Sequence, residues 1–183
     1  DSVKDAGGNG YHTVAVSGYC WTKSNMRYET ENAMTYTSNQ YPDVNVETYG
    51  YLYTWQDAVA DSDPNNDDNG YVQGICPSVG WGWHLPNAEE ATALMSNEAL
   101  TLRRDTDWIG TEVNTNSTMF TAYPAGEYSG ELGRFQGMGT QTDCWTAMST
   151  GDGYATSIQL NYYCSSPMLK TRSQNDGLSV RCV

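Results

Sequence analysis

Gly82-Trp-His-Leu-Pro-Asn-Ala-Glu-Glu-Ala-Thr-Ala-Leu-Met-Ser-Asn-Glu-Ala-Leu-Thr-Leu102 carries the most legible local structure in the chain. Asn87 stands three residues before Glu90, the spacing of a capping box: the asparagine side chain accepts from an orphan amide while the glutamate reaches back. Ala91, Leu94, Met95 and Leu102 then recur at helical spacing, so a helix is expected over Asn87 to Leu102. Toward the N-terminus, Thr54 to Ala60 is a second, more compact helical candidate. Between the two lies Asp61-Ser-Asp-Pro-Asn-Asn-Asp-Asp-Asn-Gly70, which reads as a loop because Pro64 and Gly70 break both helix and strand. Earlier still, His12 to Val16 alternates like a strand, and Gly18 to Trp21 reads as a turn into a second short strand. After the helix come short apolar or β-branched runs, Met119 to Tyr123, Trp145 to Met148, Tyr154 to Tyr163 and Leu178 to Val183, separated by Gly-rich turns. No internal repeat is visible, and the pattern predicts a loop-rich α+β domain.

A chain of 183 residues fits one domain, residues 1–183, and buries roughly 70% of its unfolded surface. Apolar residues make up only 38%, so the core must draw on 6 Trp and 14 Tyr, rings that bury area while keeping a polar edge. Tyr together with many Asn, Ser, Thr and Gly is also the composition of adaptable recognition surfaces. Acidic residues outnumber basic ones 22 to 9, a formal charge of −13, which repels phosphate backbones and anionic headgroups. Nucleic acid is excluded as a partner on that ground, and no apolar stretch is long enough to span a bilayer. Asp1 to Gly10 lacks the basic and apolar regions of a signal peptide, so the expectation is a mature or trimmed chain. Five cysteines, Cys20, Cys76, Cys144, Cys164 and Cys182, sit in an acidic chain that reads as extracytoplasmic, where disulfides persist. One of them is left over, and zinc ligation is disfavoured because no two stand at finger spacing.

Asp63, Asn65, Asp67 and Asn69 before Gly70 resemble the first half of a calcium loop, since hard cations take closely spaced oxygen ligands. The bidentate Glu that would close such a loop is missing, for Cys76 stands at its place, which leaves a solvated acidic loop as the alternative. No other cofactor is implied. Catalysis needs a nucleophile with a base, paired carboxylates or a metal, and little of that is discernible. His84, between Trp83 and Leu85, reads as a structural hydrogen-bonder at a helix entrance; His12 has no evident partner. Within the run from Ser157 to Tyr163, Ile158, Leu160 and Tyr162 share one face while Ser157, Gln159, Asn161 and Tyr163 share the other. One face is expected to pack and one to be available. The expected contact surface is therefore this C-terminal hairpin region: Asp152, Tyr154, Gln159, Asn161, Tyr163, Met168, Lys170 and Arg172 combine rigid rings, amides and scarce positive charges.

Trp21-Thr-Lys-Ser-Asn-Met-Arg27, Tyr49-Gly-Tyr-Leu-Tyr-Thr-Trp55, Gly74-Ile-Cys-Pro77 followed by Gly82-Trp-His-Leu-Pro86, Pro124-Ala-Gly126 and Gly177-Leu-Ser-Val-Arg-Cys-Val183 stand in that order along the chain. Together they resemble the Fibrobacter succinogenes major paralogous domain (FISUMP) over nearly the whole length. The resemblance implies a C-type-lectin-like fold, related also to formylglycine-generating enzymes, with two helices flanking small antiparallel β-sheets and the termini close together. It implies an extracellular or cell-surface home in a bacterium, in a lipoprotein or at a pilus tip of the Bacteroides type, and binding of a protein or glycan ligand. Ser78-Val-Gly-Trp-Gly82 lengthens a link that is short in the family, so Trp81 and Trp83 compete for the buried role. Leu178 stands where the family has Phe, while Trp145 and Leu160 match positions that should be buried. On the same resemblance Cys182 pairs with Cys76, with Cys20 as the rival partner.

Related lectin-like proteins are diversified by retroelements that rewrite a C-terminal segment, and residues 144–175, rich in Asn, Ser, Thr, Tyr and Asp, have the look of one. The reading is a ligand-binding adhesin and not an enzyme. A structural module that joins a pilus or surface lipoprotein assembly, without diffusible ligand, is the alternative. Formylglycine-generating chemistry would need a close pair of reactive cysteines, for which Cys164 and Cys182 are the only candidates. The sugar-binding loop of calcium-dependent lectins is absent, and Tyr41-Pro-Asp43 comes too early to supply it.

Overall fold

The structure, a computed structural model, describes residues 1–60, 62, 71–78, 82–110 and 113–183. It mixes helix and strand, mostly sheet with a few short helices. At the N-terminus β1 (Ser2–Lys4), β2 (Gly10–Val16) and β3 (Tyr19–Thr22) form an antiparallel sheet in chain order. Four short helices follow among the described residues: α1 (Val46–Tyr49), α2 (Trp55–Val59), α3 (Ala88–Met95) and α4 (Ala99–Leu102). The second half supplies β4 (Ala125–Ser129), β5 (Arg134–Met138), β6 (Gln141–Gly151), β7 (Tyr154–Asn161) and β8 (Met168–Ser173), arranged β5-β4-β6-β7-β8. All neighbours in that sheet are antiparallel except β4 and β6, which meet in parallel at Gly126 and Thr142.

The two helices expected in the first half correspond to α2 and to α3 with α4. Thr54 caps α2 by accepting from the Asp57 amide, and the Asn87–Glu90 capping box of α3 is fully formed. The single helix expected from Asn87 to Leu102 is broken between Met95 and Ala99. Asn97 Nδ2 donates to the Leu94 carbonyl at 2.8 Å and Ser96 Oγ to that of Ala93 at 2.6 Å. These side chains take the carbonyls that the next helical turn would need. The run Met119 to Tyr123 is not a strand either; its one ladder contact is a bridge between Ala122 and Arg103.

The C-terminal segment from Gly177 to Val183 is the seam of the fold. Leu178, Val180 and Cys182 are fully buried, and the segment bridges to Tyr53 through Leu178, to Tyr128 through Gly177 and to Cys144 through Ser179. Thr22 donates to the Cys182 carbonyl and Met26 to that of Val180, so the N-terminal hairpin and the C-terminal segment meet. Trp145, fully buried as expected, donates through Nε1 to the Tyr53 carbonyl at 2.7 Å. Leu160 is buried in a second cluster with Trp21, Leu94 and Phe120. Cys76 and Cys182 form a disulfide with Cα atoms 5.8 Å apart, the pairing the family resemblance implies. Cys20, its rival, is exposed and free, as are the buried Cys144 and the half-buried Cys164.

Candidate functional site

Asp143 is fully buried on β6, at the centre of the five-stranded sheet. Register places it opposite Gln159 of β7, whose Nε2 donates to Asp143 Oδ2 at 3.0 Å, and Ser157 Oγ donates to Oδ1 at 3.0 Å. Asn161 Nδ2 extends the chain by donating to Gln159 Oε1 at 2.7 Å. Burial raises the Asp143 carboxyl to about 6, opposed by the positive charge of Arg172 and the bond from Gln159. A chain of polar groups in low dielectric is stabilising only when each member has a partner, and here the side chains of two adjacent strands provide them.

Arg172 on β8 links this network to β4, on the far side of β6 and β7. Its Nη2 donates to Glu127 Oε2, and its Nε lies 3.2 Å from Asp176 Oδ2. Gln136 of β5 donates to the other Glu127 oxygen at 2.6 Å, and the Gly130 amide donates to Asp176 Oδ1 at 2.9 Å. Contact between β4 and β8 across two intervening strands means that the sheet is curled. Gly126 permits the close approach of β4 and β5: its φ is +67°, and a Cβ would sit 2.6 Å from the Gln136 carbonyl. The hollow of the curl is an open cleft of about 570 Å³, lined by Glu127, Gln136, Thr171, Arg172 and Asp176, with Tyr154, about half exposed, beside it.

The expected contact residues divide between places. Tyr154 and Arg172 line the cleft, whereas Asp152 lies exposed at the β6–β7 turn and Lys170 exposed on β8, with Met168 half-buried at its start. Tyr163 is exposed beyond the end of β7, edge-on to Tyr162 with ring centroids 5.1 Å apart. The length of β7 alone puts it roughly 25 Å from Tyr154. Gln159 and Asn161 are buried, which corrects the reading of one available face on this strand. Because β7 lies inside a curled sheet, the face opposite Ile158 and Leu160 is covered and occupied by the Asp143 network. Glu127, Gln136, Asp143 and Asp176 were not singled out from sequence. A carboxylate directly before Cys144-Trp145 in an apolar run was the available signal for Asp143.

A family model, that of the Fibrobacter succinogenes major domain, matches residues 14–183. The chain belongs to that family. No curated protein and no solved structure matches it. In this Fibrobacter succinogenes major domain His84 is buried at the entrance to α3, its Nε2 2.9 Å from Glu90 Oε1. Glu90 thereby serves the capping box with Oε2 and the histidine with Oε1. The sulfur of Cys182 is committed to Cys76, so Cys164 and Cys182 do not form a thiol pair. Trp83 is half-buried against the main core; Trp81 lies outside the described residues, as do Asp63, Asn65, Asp67 and Asn69 of the calcium-loop candidate. Among the described residues no helix is long and apolar enough to cross a membrane, and no group of three or more His, Cys, Asp or Glu is placed to hold a metal.

Proposed function

We propose that this domain is an extracellular ligand-binding module of a bacterial surface protein, lipoprotein or pilus, and that the ligand, a protein or glycan, docks into the hollow of the curled sheet. The observation that carries the reading is the pair of carboxylates, Glu127 and Asp176, holding Arg172 at the bottom of an open cleft flanked by Tyr154. Charges fixed by one another before a ligand arrives cost little to order on binding, and an amphipathic ring beside them supplies contact area. Binding without turnover fits a site whose acids are engaged by a guanidinium and an amide rather than poised against a nucleophile. A C-type-lectin-like relation of the fold, and variability of residues 144–175, belong to the same proposal. The meeting of the N-terminal hairpin with the C-terminal segment supports the first.

The test is a glycan and surface-protein array probed with the wild-type domain and with Gln136→Trp, which puts bulk into the cleft from a half-buried position whose side chain already faces Glu127. Signals that vanish in a variant of native circular dichroism place the ligand in the cleft, and signals that persist unchanged overturn that placement. One observation favours an assembly module instead: among the described residues β8 borders the sheet with no further strand beyond it. Lys170 on that edge weighs against it, since charged edges discourage strand addition.

A further inference from the structure

A second cleft, of about 400 Å³, opens where the N-terminal hairpin faces the segment that ends at Tyr123. It shares no lining residue with the first cleft. His12, Lys23 and Arg27 line it, with Thr121 and Tyr123 across from them and Glu47 at hand. In a chain with 9 Lys and Arg against 22 Asp and Glu, cations gathered on one concave wall create a local field opposite to that of the whole molecule.

The guanidinium of Arg27 is oriented from within. It lies over the Tyr11 ring, 4.8 Å from the centroid, and its Nη2 donates to the Gly10 carbonyl at 2.9 Å. Among the described residues its one acidic partner is Glu47, 3.2 Å away with its own side chain 77% exposed, a pair of the weak, exchangeable kind. The Lys23 ammonium meets no carboxylate among the described residues.

The facing wall is built at a cost in backbone strain. Asn116, Met119 and Thr121 have φ of +48°, +59° and +59°, and a left-handed conformation in a β-branched residue persists only where its surroundings impose it. Here Arg181 imposes it, donating through Nη1 to the Phe120 carbonyl at 2.7 Å and through Nη2 to that of Thr121 at 2.8 Å. Asn116 grips the same residue, accepting from the Thr121 amide at 2.9 Å and donating to its hydroxyl at 3.1 Å. Next to it the Tyr123 ring is fixed by the Arg104 guanidinium on one face, 4.7 Å from the centroid, and by a T-shaped pairing with Tyr49, centroids 5.8 Å apart.

From this arrangement we infer that the second cleft binds a carboxylate-bearing sugar ring of the uronate type. The carboxylate sits between Lys23 and Arg27, within reach of the His12 imidazole, and the apolar face of the ring lies against Tyr123. A cleft of about 400 Å³ suits a monosaccharide unit, whereas an inorganic anion would leave the aromatic wall unused.

The experiment is an amide NMR titration of the whole domain with galacturonate, galactose and inorganic phosphate, repeated on Lys23→Gln and on Arg134→Gln, which removes an exposed cation on β5, away from this cleft. Galacturonate is expected to move the His12, Lys23, Arg27 and Thr121 amides and to bind roughly tenfold more tightly than galactose or phosphate. Lys23→Gln, with an otherwise native spectrum, is expected to weaken it by about the same factor, the loss of one charge-assisted hydrogen bond, and Arg134→Gln to leave it unchanged. Equal affinity for galactose or phosphate, an unaffected Lys23→Gln, an equal loss in Arg134→Gln, shifts confined to Glu127 and Arg172, or no shifts at all would each overturn the proposal.

Discussion

The seam around the C-terminal segment holds a fully buried arginine and the hollow of the curled sheet a half-buried one, and the two are satisfied in opposite ways. Arg181 in the seam donates to Asn25 Oδ1 and to the carbonyls of Thr22, Phe120 and Thr121, all neutral acceptors from separate parts of the chain. Burial lowers it to about 10, so it keeps its charge at neutral pH, and its contacts tie the C-terminal segment to Thr22 and Asn25 on one side and to Phe120 and Thr121 on the other. Arg172 in the hollow is also pushed down by burial, but Asp143, Glu127 and Asp176 outweigh that and raise it. A guanidinium closed in by carbonyls is a fastener. One held by carboxylates at the bottom of an open cleft keeps a field that a ligand can feel. The chemistry of the partners, more than the degree of burial, separates the two.

The largest effect that would test this division belongs to the seam. Replacing both Cys76 and Cys182 by Ser opens a link between residues 106 apart in sequence and is expected to cost about 5 kcal/mol by denaturant unfolding. Ligand binding by whatever fraction remains folded should be unaltered. Arg181→Met comes next, at about 4 kcal/mol, because it strands buried carbonyls with no donor; a loss below about 1 kcal/mol would mean the seam is held by apolar packing alone.

The hollow should instead reveal itself through pH. Burial pushes the Asp143 carboxyl up to about 6 in the folded protein from its ordinary 3.8. The folded state therefore holds the proton over the interval in which the unfolded chain releases it, and the contribution of this group to stability falls as pH rises from about 4 to about 6. The span is about 3 kcal/mol. Asp143→Asn should abolish that part of the slope, so the stability difference between wild type and variant, followed by urea midpoints across this range, must itself change with pH. A constant difference would show that Arg172 and Gln159 hold Asp143 ionised throughout.

What was legible from sequence follows the range of the interactions involved. The α3 capping box lies within four consecutive residues, and the Thr54 cap of α2 is as local; both could be read directly. The pairing of Cys76 with Cys182 came from family resemblance and not from spacing. Two-residue periodicity correctly separated Ile158 and Leu160 from Gln159 and Asn161, yet it carries no information about whether the second face is open. That depends on how far the sheet curls, and the curl is expressed only in contacts such as Arg172 with Glu127, 45 residues apart. The same limit explains why Glu127, Gln136 and Asp176 were passed over: each is unremarkable until three strands are brought round one hollow.

The smallest stability effect is the sharpest test of where recognition occurs. Tyr154 lines the cleft with its ring about half exposed, while its carbonyl accepts from Gln174 Nε2 at 3.2 Å. Truncation to Ala removes the ring and keeps that backbone contact, so the unfolding free energy should stay within about 0.5 kcal/mol of wild type. Affinity for a ligand seated in the cleft should nevertheless fall roughly tenfold, the loss typical of an aromatic anchor at an interface. Tyr163→Ala, at the other end of β7, should alter neither quantity if the cleft is the site. The reverse result, with Tyr163 essential and Tyr154 silent, would transfer recognition from the hollow of the sheet to the turn that follows β7.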